Sequence, residues 1–381
     1  MKILMINYEF PPLGGGGGVA CYQLAKELAK KHCVDYLTTG FKGLPKFEVV
    51  DGINVYRVPV LGRTDISTAT FLSMLSFLPS SLILGIGLCR KNRYDAINAH
   101  FVLPSGATGV VLSKIFKVPL VMSIHGGDIY DPSKKSSPHR HFILRKIITL
   151  LLNNSNYIIA QSNNTKENAI KFYAPKKDVQ VIPLGFIEPV FNSVNRKQLN
   201  LSDNDIIIIS VGRLIKRKGF DYALRAIAQL RYDNLKYLII GEGPEKDNLK
   251  SLANQLKIQD KVEFLGYQSE EKKFQYLSNA NIYLLSSLHE GFGVCLMEAM
   301  YCGLPIVSTE NGGQIDLLRD RKNALFTPIM DPGALAKKIS ILIEDSDLSK
   351  KMGEQNRQDL KRFYIEHIVK KYEDVLIGRL R

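Results

Sequence analysis

Through the first half of the chain, short unbroken apolar runs alternate with segments whose apolar residues recur every three or four positions. The runs KILMIN, CVDYLTT, INVYRV, AINAH, PLVMSIH, YIIAQS and VQVIP predict strands. Between most of them lie helical stretches. In QLAKELAKK and the residues just before it, Cys21, Leu24, Ala25 and Leu28 form one stripe at i, i+3, i+4 and i+7. The second half repeats the plan with DIIIISVG, KYLIIG, KVEFLG, NIYLLSS, LPIVST and ALFTP. Its helices include FDYALRAIAQL, with Ala223, Ala226, Ile227 and Leu230 on one face. Strands that are apolar throughout and separated by helices are covered on both faces, which predicts parallel sheets. The fold class is therefore α/β, with two doubly wound units in tandem. The break falls in the irregular, proline-bearing stretch at residues 183–198, and 381 residues are too many for one ordinary core. Open α/β sheets bind ligands outside the carboxyl ends of their strands, so two such domains facing each other would hold a ligand in the cleft between them.

Two stretches depart from this pattern. Ile66 to Cys89 carries no charge, and its length alone would span a bilayer. It contains Pro79, Gly85, Gly87 and several serines, and it is expected to form a buried or membrane-grazing helical pair. Residues 139–154, HRHFILRKIITLLLNN, are basic on one side and apolar on the other. They fit either an amphipathic helix on the sheet or a helix lying on a membrane surface.

Composition adds few constraints. The chain is 45% hydrophobic and 23% charged, as soluble globular proteins are. Five cysteines with no C-x-x-C spacing read as reduced thiols of a cytoplasmic protein rather than disulfides or a zinc site. Met1 to Asn7 reads as a first strand, since a leader would need a longer apolar core. The net charge of +14 is uneven: residues 1–190 hold 22 basic against 12 acidic side chains, and residues 191–381 hold 29 against 25. A basic half attracts anions, whether nucleic acid, an acidic membrane or a phosphorylated substrate.

Chemistry concentrates at strand-to-helix turns. Five glycines, Gly14–Gly18, join the first strand to the first helix. In residues 289–313 a strand ends, Glu290 follows, and Gly291-Phe292-Gly293 opens a helix that carries Glu298. A helix N-terminus with free N–H groups suits a phosphate, and carboxylates on either side of a diphosphate can accept bonds from the hydroxyls of a ribose and a sugar. In SVGRLIKRKGFDYAL, Arg213 and Lys218 lie on a glycine turn, a fork of donors and a point charge suited to a diphosphate leaving group. His125 ends a strand before two glycines, and His100 stands similarly. Two D-x-D triplets, at residues 203–205 and 345–347, read as turn and helix-cap acids, so no metal is assigned.

At these residues the chain resembles the retaining glycosyltransferases of family four, whose fold is GT-B, two Rossmann-like domains. E-x7-E within E-G-F-G-x-x-x-x-E-A-M-x-x-G-x-P matches Glu290 to Pro305, and V-G-R-x-x-x-x-K-G matches Val211 to Gly219. H-G matches His125-Gly126, and I-x-G-x-G-P matches Ile239 to Pro244. The resemblance implies an acceptor domain at residues 1–187, a nucleotide-sugar domain at 188–363, and a last helix, 364–381, crossing back onto the first. It implies that Arg213 and Lys218 bind the diphosphate and Glu298 the ribose, that Glu290 faces the transferred sugar, and that His125 contacts that sugar. Gly15, Gly16, Gly241, Gly293, Val294 and Cys295 would complete donor binding, with the remaining glycines of the run forming a mobile lid. There are departures: Pro183-Leu184-Gly185-Phe186-Ile187 lacks the usual Asn and Asp, Gly312-Gly313-Gln314-Ile315-Asp316 replaces G-G-x-P-E, and Ala20 stands where a histidine is common.

The expected activity is transfer of a sugar from a UDP- or GDP-sugar to a hydroxyl, with retention and without a metal or other cofactor. The acceptor would be a lipid-linked or polysaccharide precursor in envelope glycan synthesis, reached from the cytoplasm at the inner face of the membrane. A UDP-sugar epimerase on the same fold is the nearest enzymatic alternative. A dinucleotide oxidoreductase lacks the acid expected to close its second strand, and a P-loop needs Lys-Ser or Lys-Thr where Val19-Ala20 stands. Nucleic-acid binding rests on net charge alone, with no aromatic-interleaved basic face to support it.

Overall fold

A computed structural model describes residues 1–66 and 69–378. Residues 67–68 of the uncharged stretch and 379–381 of the expected last helix lie outside the described residues. The chain forms two compact units: residues 1–187 with the segment from Phe363 onward, and Glu188–Arg362.

In the first unit the strands are β1 (Lys2–Asn7), β2 (Cys33–Thr39), β3 (Phe47–Val50), β4 (Ile53–Val58), β5 (Ala96–His100), β6 (Leu120–Ile124), β7 (Tyr157–Ala160) and β8 (Val179–Val181). They lie in the order β3-β4-β2-β1-β5-β6-β7-β8. All neighbours are parallel except β3, an edge strand antiparallel to β4 that the sequence pattern did not predict. The pleat sends successive side chains to opposite faces. Ile3 and Met5 of β1 therefore join a core with Leu24, Ala25 and Leu28 of helix Gly16–Ala29. Leu4 and Ile6 join the opposite core with Phe77, Leu112, Ile148 and Leu152. Helix Ile365–Leu376 completes the first of these layers through Ile368, Val369, Tyr372 and Val375. It is held by backbone bonds from the Phe186 amide to Phe363 at 2.8 Å and from the Ile365 amide to Phe186 at 2.9 Å.

The uncharged stretch is one helix, Phe71–Lys91, with Pro79 inside it, rather than the expected pair. Thr70 and Ser73 cap each other at its start. A row of mostly small residues, Ser73, Phe77, Ser81, Gly85 and Leu88, packs inward at helical spacing. Ser81 meets Thr108 at 2.7 Å, and Gly85 lets Leu112 approach its backbone. The helix is long and apolar enough to cross a membrane, yet its outer row stays on the surface, with Phe71 77% and Ile83 75% exposed. Helix Phe142–Asn153 is similar. Ile148, Leu151 and Leu152 are buried while Phe142, Ile143 and Leu150 face outward.

In the second unit the strands are β9 (Ile206–Val211), β10 (Leu235–Ile240), β11 (Val262–Gly266), β12 (Ile282–Leu285), β13 (Ile306–Thr309) and β14 (Ala324–Thr327). Their order, β11-β10-β9-β12-β13-β14, is that of a dinucleotide-type doubly wound sheet, with the chain reversing direction between β9 and β12. The loops leaving β9 and β12 are thereby adjacent at the one place where such sheets bind ligands.

The two leucines of helix Phe142–Asn153 separate core from surface. Leu152→Ala is expected to cost about 2–5 kcal/mol, and Leu150→Ala less than about 0.5 kcal/mol. Urea unfolding of the two variants measures both, and equal losses would contradict the assigned faces.

Candidate active site

The site of the second unit is built from three loops that hold one another by their backbones. After β9 the chain makes the turn Lys216–Lys218, and after β12 it passes through Ser286 and Ser287 to Glu290. The Leu288 amide donates to the Arg217 carbonyl at 2.8 Å, and the Ser286 hydroxyl to the Lys218 carbonyl at 3.1 Å. The loop after β13 lies on the same segment, with the Gly313 amide donating to the Glu290 carbonyl at 2.7 Å. A Cβ at Gly313 would collide with the Gly291 carbonyl, so this approach admits only glycine. At Gly241, φ is +143° and a Cβ would strike the Gly212 carbonyl, which brings the loop after β10 against the loop after β9.

Within this frame Glu290 is only 5% exposed. Lys218 Nζ lies 2.7 Å from its Oε1 and Arg217 Nη1 3.4 Å from its Oε2. The Ser287 hydroxyl donates to Oε1 as well. Burial pushes the Glu290 carboxyl up, but Lys218 and then Arg217 outweigh it and hold its pKa at about 2. The carboxylate is thus ionised at any physiological pH. It can accept hydrogen bonds and cannot serve as an acid.

Helix Val294–Cys302 starts four residues on, capped by Gly293 at φ +108°, with its first N–H groups at Val294 and Cys295. Glu298 lies on it, and its carboxylate meets Lys273 at 2.7 Å. Lys273 in turn meets Glu270 at 2.7 Å. Burial pushes Glu298 up, against the pull of Lys273. Arg213 stands exposed on the loop after β9. Sequence reasoning placed Lys218 and Glu290 separately, whereas they form one pair. It missed Arg217, which stands among four basic residues in six with nothing to single it out, and Lys273, whose i,i+3 spacing from Glu270 was the available signal.

In the first unit the glycine run differs from the expected loop and lid. Gly16, Gly17 and Gly18 are already the first turn of helix Gly16–Ala29. Gly14 and Gly18 pack against the Glu9 side chain and Gly17 against Phe101, while Gly15 and Gly16 face open space. Three glycines are thus spent on packing and two remain open. Glu9 Oε2 accepts from the Gly15 amide at 3.2 Å.

Behind that helix, His125 is 7% exposed and stacks on Phe101, their ring centroids 4.3 Å apart. Its Nε2 lies 3.1 Å from His100 Nδ1 and 3.7 Å from Cys21 Sγ. Gln161 donates to the His125 carbonyl, and Asp128 accepts from the His125 amide at 3.0 Å. Burial lowers the His125 pKa to about 4, so the ring is neutral at pH 7. His100 and Cys21 join it here. From sequence His100 carried only secondary weight, and Cys21 stood as part of a helix stripe. The D-x-D acids serve a turn and a helix cap: Asp205 accepts from the Ser202 amide at 3.0 Å in the turn before β9, and Asp345 from the Leu348 amide at 2.9 Å.

Residues 14–186 match the family described as Glycosyltransferase Family 4, and residues 192–359 match Glycosyl transferases group 1. An uncharacterized glycosyltransferase of Methanocaldococcus jannaschii is 30% identical over 91% of this chain and 90% of its own. The chain belongs to the group 1, family 4 glycosyltransferases. It is also 26% identical to the N-acetyl-alpha-D-glucosaminyl L-malate synthase of Bacillus anthracis, over 99% of this chain and 98% of that one. Among solved structures, HepE of Anabaena in complex with UDP and glucose superposes with a TM-score of 0.81 at 23% identity, covering 99% of this chain and 100% of that one. The fold is GT-B.

For this glycosyltransferase the departures from the family pattern have structural roles. Phe186, within the segment that lacks the usual Asn and Asp, forms a parallel bridge to Tyr364. Gln314, in the altered glycine motif, is buried and donates to the Thr309 carbonyl at 3.0 Å.

Two outcomes follow from this geometry. Gly16→Ala should leave the melting temperature unchanged or raise it, whereas Gly313→Ala should lower it by several degrees; thermal scans of both compare open space with close approach. Because the folded pKa of Glu290 lies below its ordinary 4.5, the pair stabilises the fold fully above that pH and is lost as pH falls toward 2. The contribution is on the order of 3 kcal/mol. The difference in unfolding free energy between wild type and Glu290→Gln should therefore be flat above about pH 5 and shrink below it. A difference unchanged down to pH 3 would sink the assignment.

Proposed function

We propose that this glycosyltransferase moves a sugar from a UDP-sugar to an acceptor hydroxyl with retention at the anomeric carbon. The observation that carries the reading is the permanently ionised Glu290, paired with Lys218 beside the N-terminus of helix Val294–Cys302. UDP and glucose in the HepE complex support the choice of donor.

The bond from the anomeric carbon to the diphosphate oxygen breaks, and the acceptor oxygen bonds to that carbon from the same face. The acceptor's proton passes to the departing phosphate. Arg213, Lys218 and the N–H groups of Val294 and Cys295 stabilise the charge that grows on the leaving group. Glu290 accepts hydroxyl bonds from the transferred sugar and holds Lys218 in place. Its two cationic partners make it a poor nucleophile, which favours front-face attack over a covalent intermediate. Glu298 takes the ribose, and neutral His125 contacts the sugar. Gly15 and Gly16, with Gly241 and Gly293, keep side chains away from the donor. No step is assigned to a metal.

The acceptor is a lipid-linked or polysaccharide precursor of the cell envelope, met in the cytoplasm at the inner membrane face. The outward rows Phe71, Leu72, Leu75 and Ile83, and Phe142, Ile143 and Leu150 with Lys146 beside them, support this placement. No nucleic-acid partner is proposed.

A thermal-shift panel of UDP-, GDP- and ADP-sugars tests the donor, because a ligand that binds only the folded state raises its melting temperature. Selective stabilisation by a UDP-sugar is expected, and no shift with any of them overturns the reading. Lys218→Ala should lower kcat on the order of 100-fold. NMR of the product's anomeric proton should report the donor's configuration; an inverted product removes retention.

A further inference from the structure

Cys21, His100 and His125 come from three separate elements: helix Gly16–Ala29, the end of β5, and the residue after β6. All three are buried, and one ligand atom from each lies within 4.8 Å of the other two. Zinc bound tetrahedrally by nitrogen and sulfur holds its ligand atoms about 3.4 Å apart for N–N and about 3.6 Å for N–S. The observed separations are 3.1 Å between His100 Nδ1 and His125 Nε2, and 3.7 Å between His125 Nε2 and Cys21 Sγ. The outer nitrogens, His100 Nε2 and His125 Nδ1, are buried without a hydrogen-bond partner among the described residues, so only the bond between the two rings couples their tautomers. A cavity of about 10 Å³, lined by these three side chains with Leu184, Ile368 and Tyr372, adjoins the cluster and is roughly the space of one small ion or water.

We propose that Cys21, His100 and His125 form a zinc-binding site whose occupancy arrests sugar transfer. Zinc takes mixed imidazole and thiolate donors in this geometry; copper shares the preference, whereas hard oxygen-seeking cations such as magnesium and calcium match it poorly. Proton balance is simple. Both imidazoles enter neutral, presenting Nδ1 of His100 and Nε2 of His125 with their protons on the outer nitrogens. Cys21 enters as thiolate, so one proton is released per zinc bound. Burial first, and then the charges of Glu9 and Asp128, keep the Cys21 thiol protonated when no cation is present; the same carboxylates favour a cation beside it. Filling the site removes His125 from the sugar, a consequence that rests on the proposed transfer reaction; the binding itself does not.

The test uses chelator-treated full-length protein and Co2+ as a spectroscopic stand-in, with Zn2+ affinity read by competition against a chromophoric chelator. One equivalent of Co2+ should give intense tetrahedral ligand-field bands and a thiolate-to-cobalt charge-transfer band. Cys21→Ser should abolish the latter, and His100→Ala, which removes a ligand outright, should weaken zinc by at least the ~100-fold that loss of an outer partner can cost. The wild-type spectrum is decisive even if a variant misfolds: weak octahedral bands without charge transfer overturn the proposal. So does a charge-transfer band that persists in Cys21→Ser, because another thiol is then the ligand. In turnover assays zinc should slow the wild type and spare Cys21→Ser, each relative to its own zinc-free rate. Tetrahedral binding in a protein that transfers no sugar supports the site and overturns the transfer reading alone.

Discussion

A carboxylate removed from water must be compensated, and the loops at the switch point of the second sheet are arranged around that requirement at Glu290. Its oxygens are met by an ammonium, a guanidinium and a hydroxyl drawn from two loops. Removing one partner from such a cluster leaves a buried charge unpaired, at a cost of several kcal/mol. The partners can reach Glu290 because β9 and β12 are neighbours in the sheet, although 70 residues of chain separate them. The third loop supports the arrangement with main-chain bonds, and its two glycines, Gly312 and Gly313, permit the contact. The electrostatics therefore rest on strand order, and strand order rests on the unbroken apolar runs that bury both faces of the sheet.

The strand-end histidines of the first unit are held differently. His100 and His125 lie between a covering helix and the strand ends, held neutral by burial rather than charged and paired. Their support comes from the backbone, through Asp128, which fastens the turns after β5 and β6 by accepting from Val102 and His125. Burial pushes that carboxyl up to about 6. One unit thus presents fixed charge, and the other a neutral hydrogen-bonding pair.

The sequence made much of this legible, and the exceptions have physical reasons. Strands buried on both faces announce themselves as continuous apolar runs, and Glu290, Glu298 and Lys218 stand at fixed offsets within motifs. The edge strand β3 escaped because FEVV is short and only half covered: Val50 packs against the core while Phe47 and Val49 are exposed. Phe71–Lys91 looked like two helices because Pro79 usually breaks one; here the helix continues through it. Arg217 was invisible as a partner because Glu290 lies 73 residues away, and the pairing of Lys273 with Glu298 because 25 residues separate them, its spacing from Glu270 being the one local signal. The glycine run misled by its length, since most of it accommodates Glu9 and Phe101 rather than a ligand.

The return of the chain at Phe363 bears on the order in which the molecule is made. One core layer of the first unit needs Ile368, Val369, Tyr372 and Val375, which leave the ribosome after the whole of the second unit. The second unit is complete in sequence at Arg362 and contains every strand of its own sheet. The unit synthesised first is therefore the last able to finish folding. Until helix Ile365–Leu376 docks, the faces of Leu24, Leu28 and Met5 lack part of their cover. During that interval the nascent protein carries an open apolar seam, and its escape from aggregation depends on how quickly helix Ile365–Leu376 finds the main chain at Phe186.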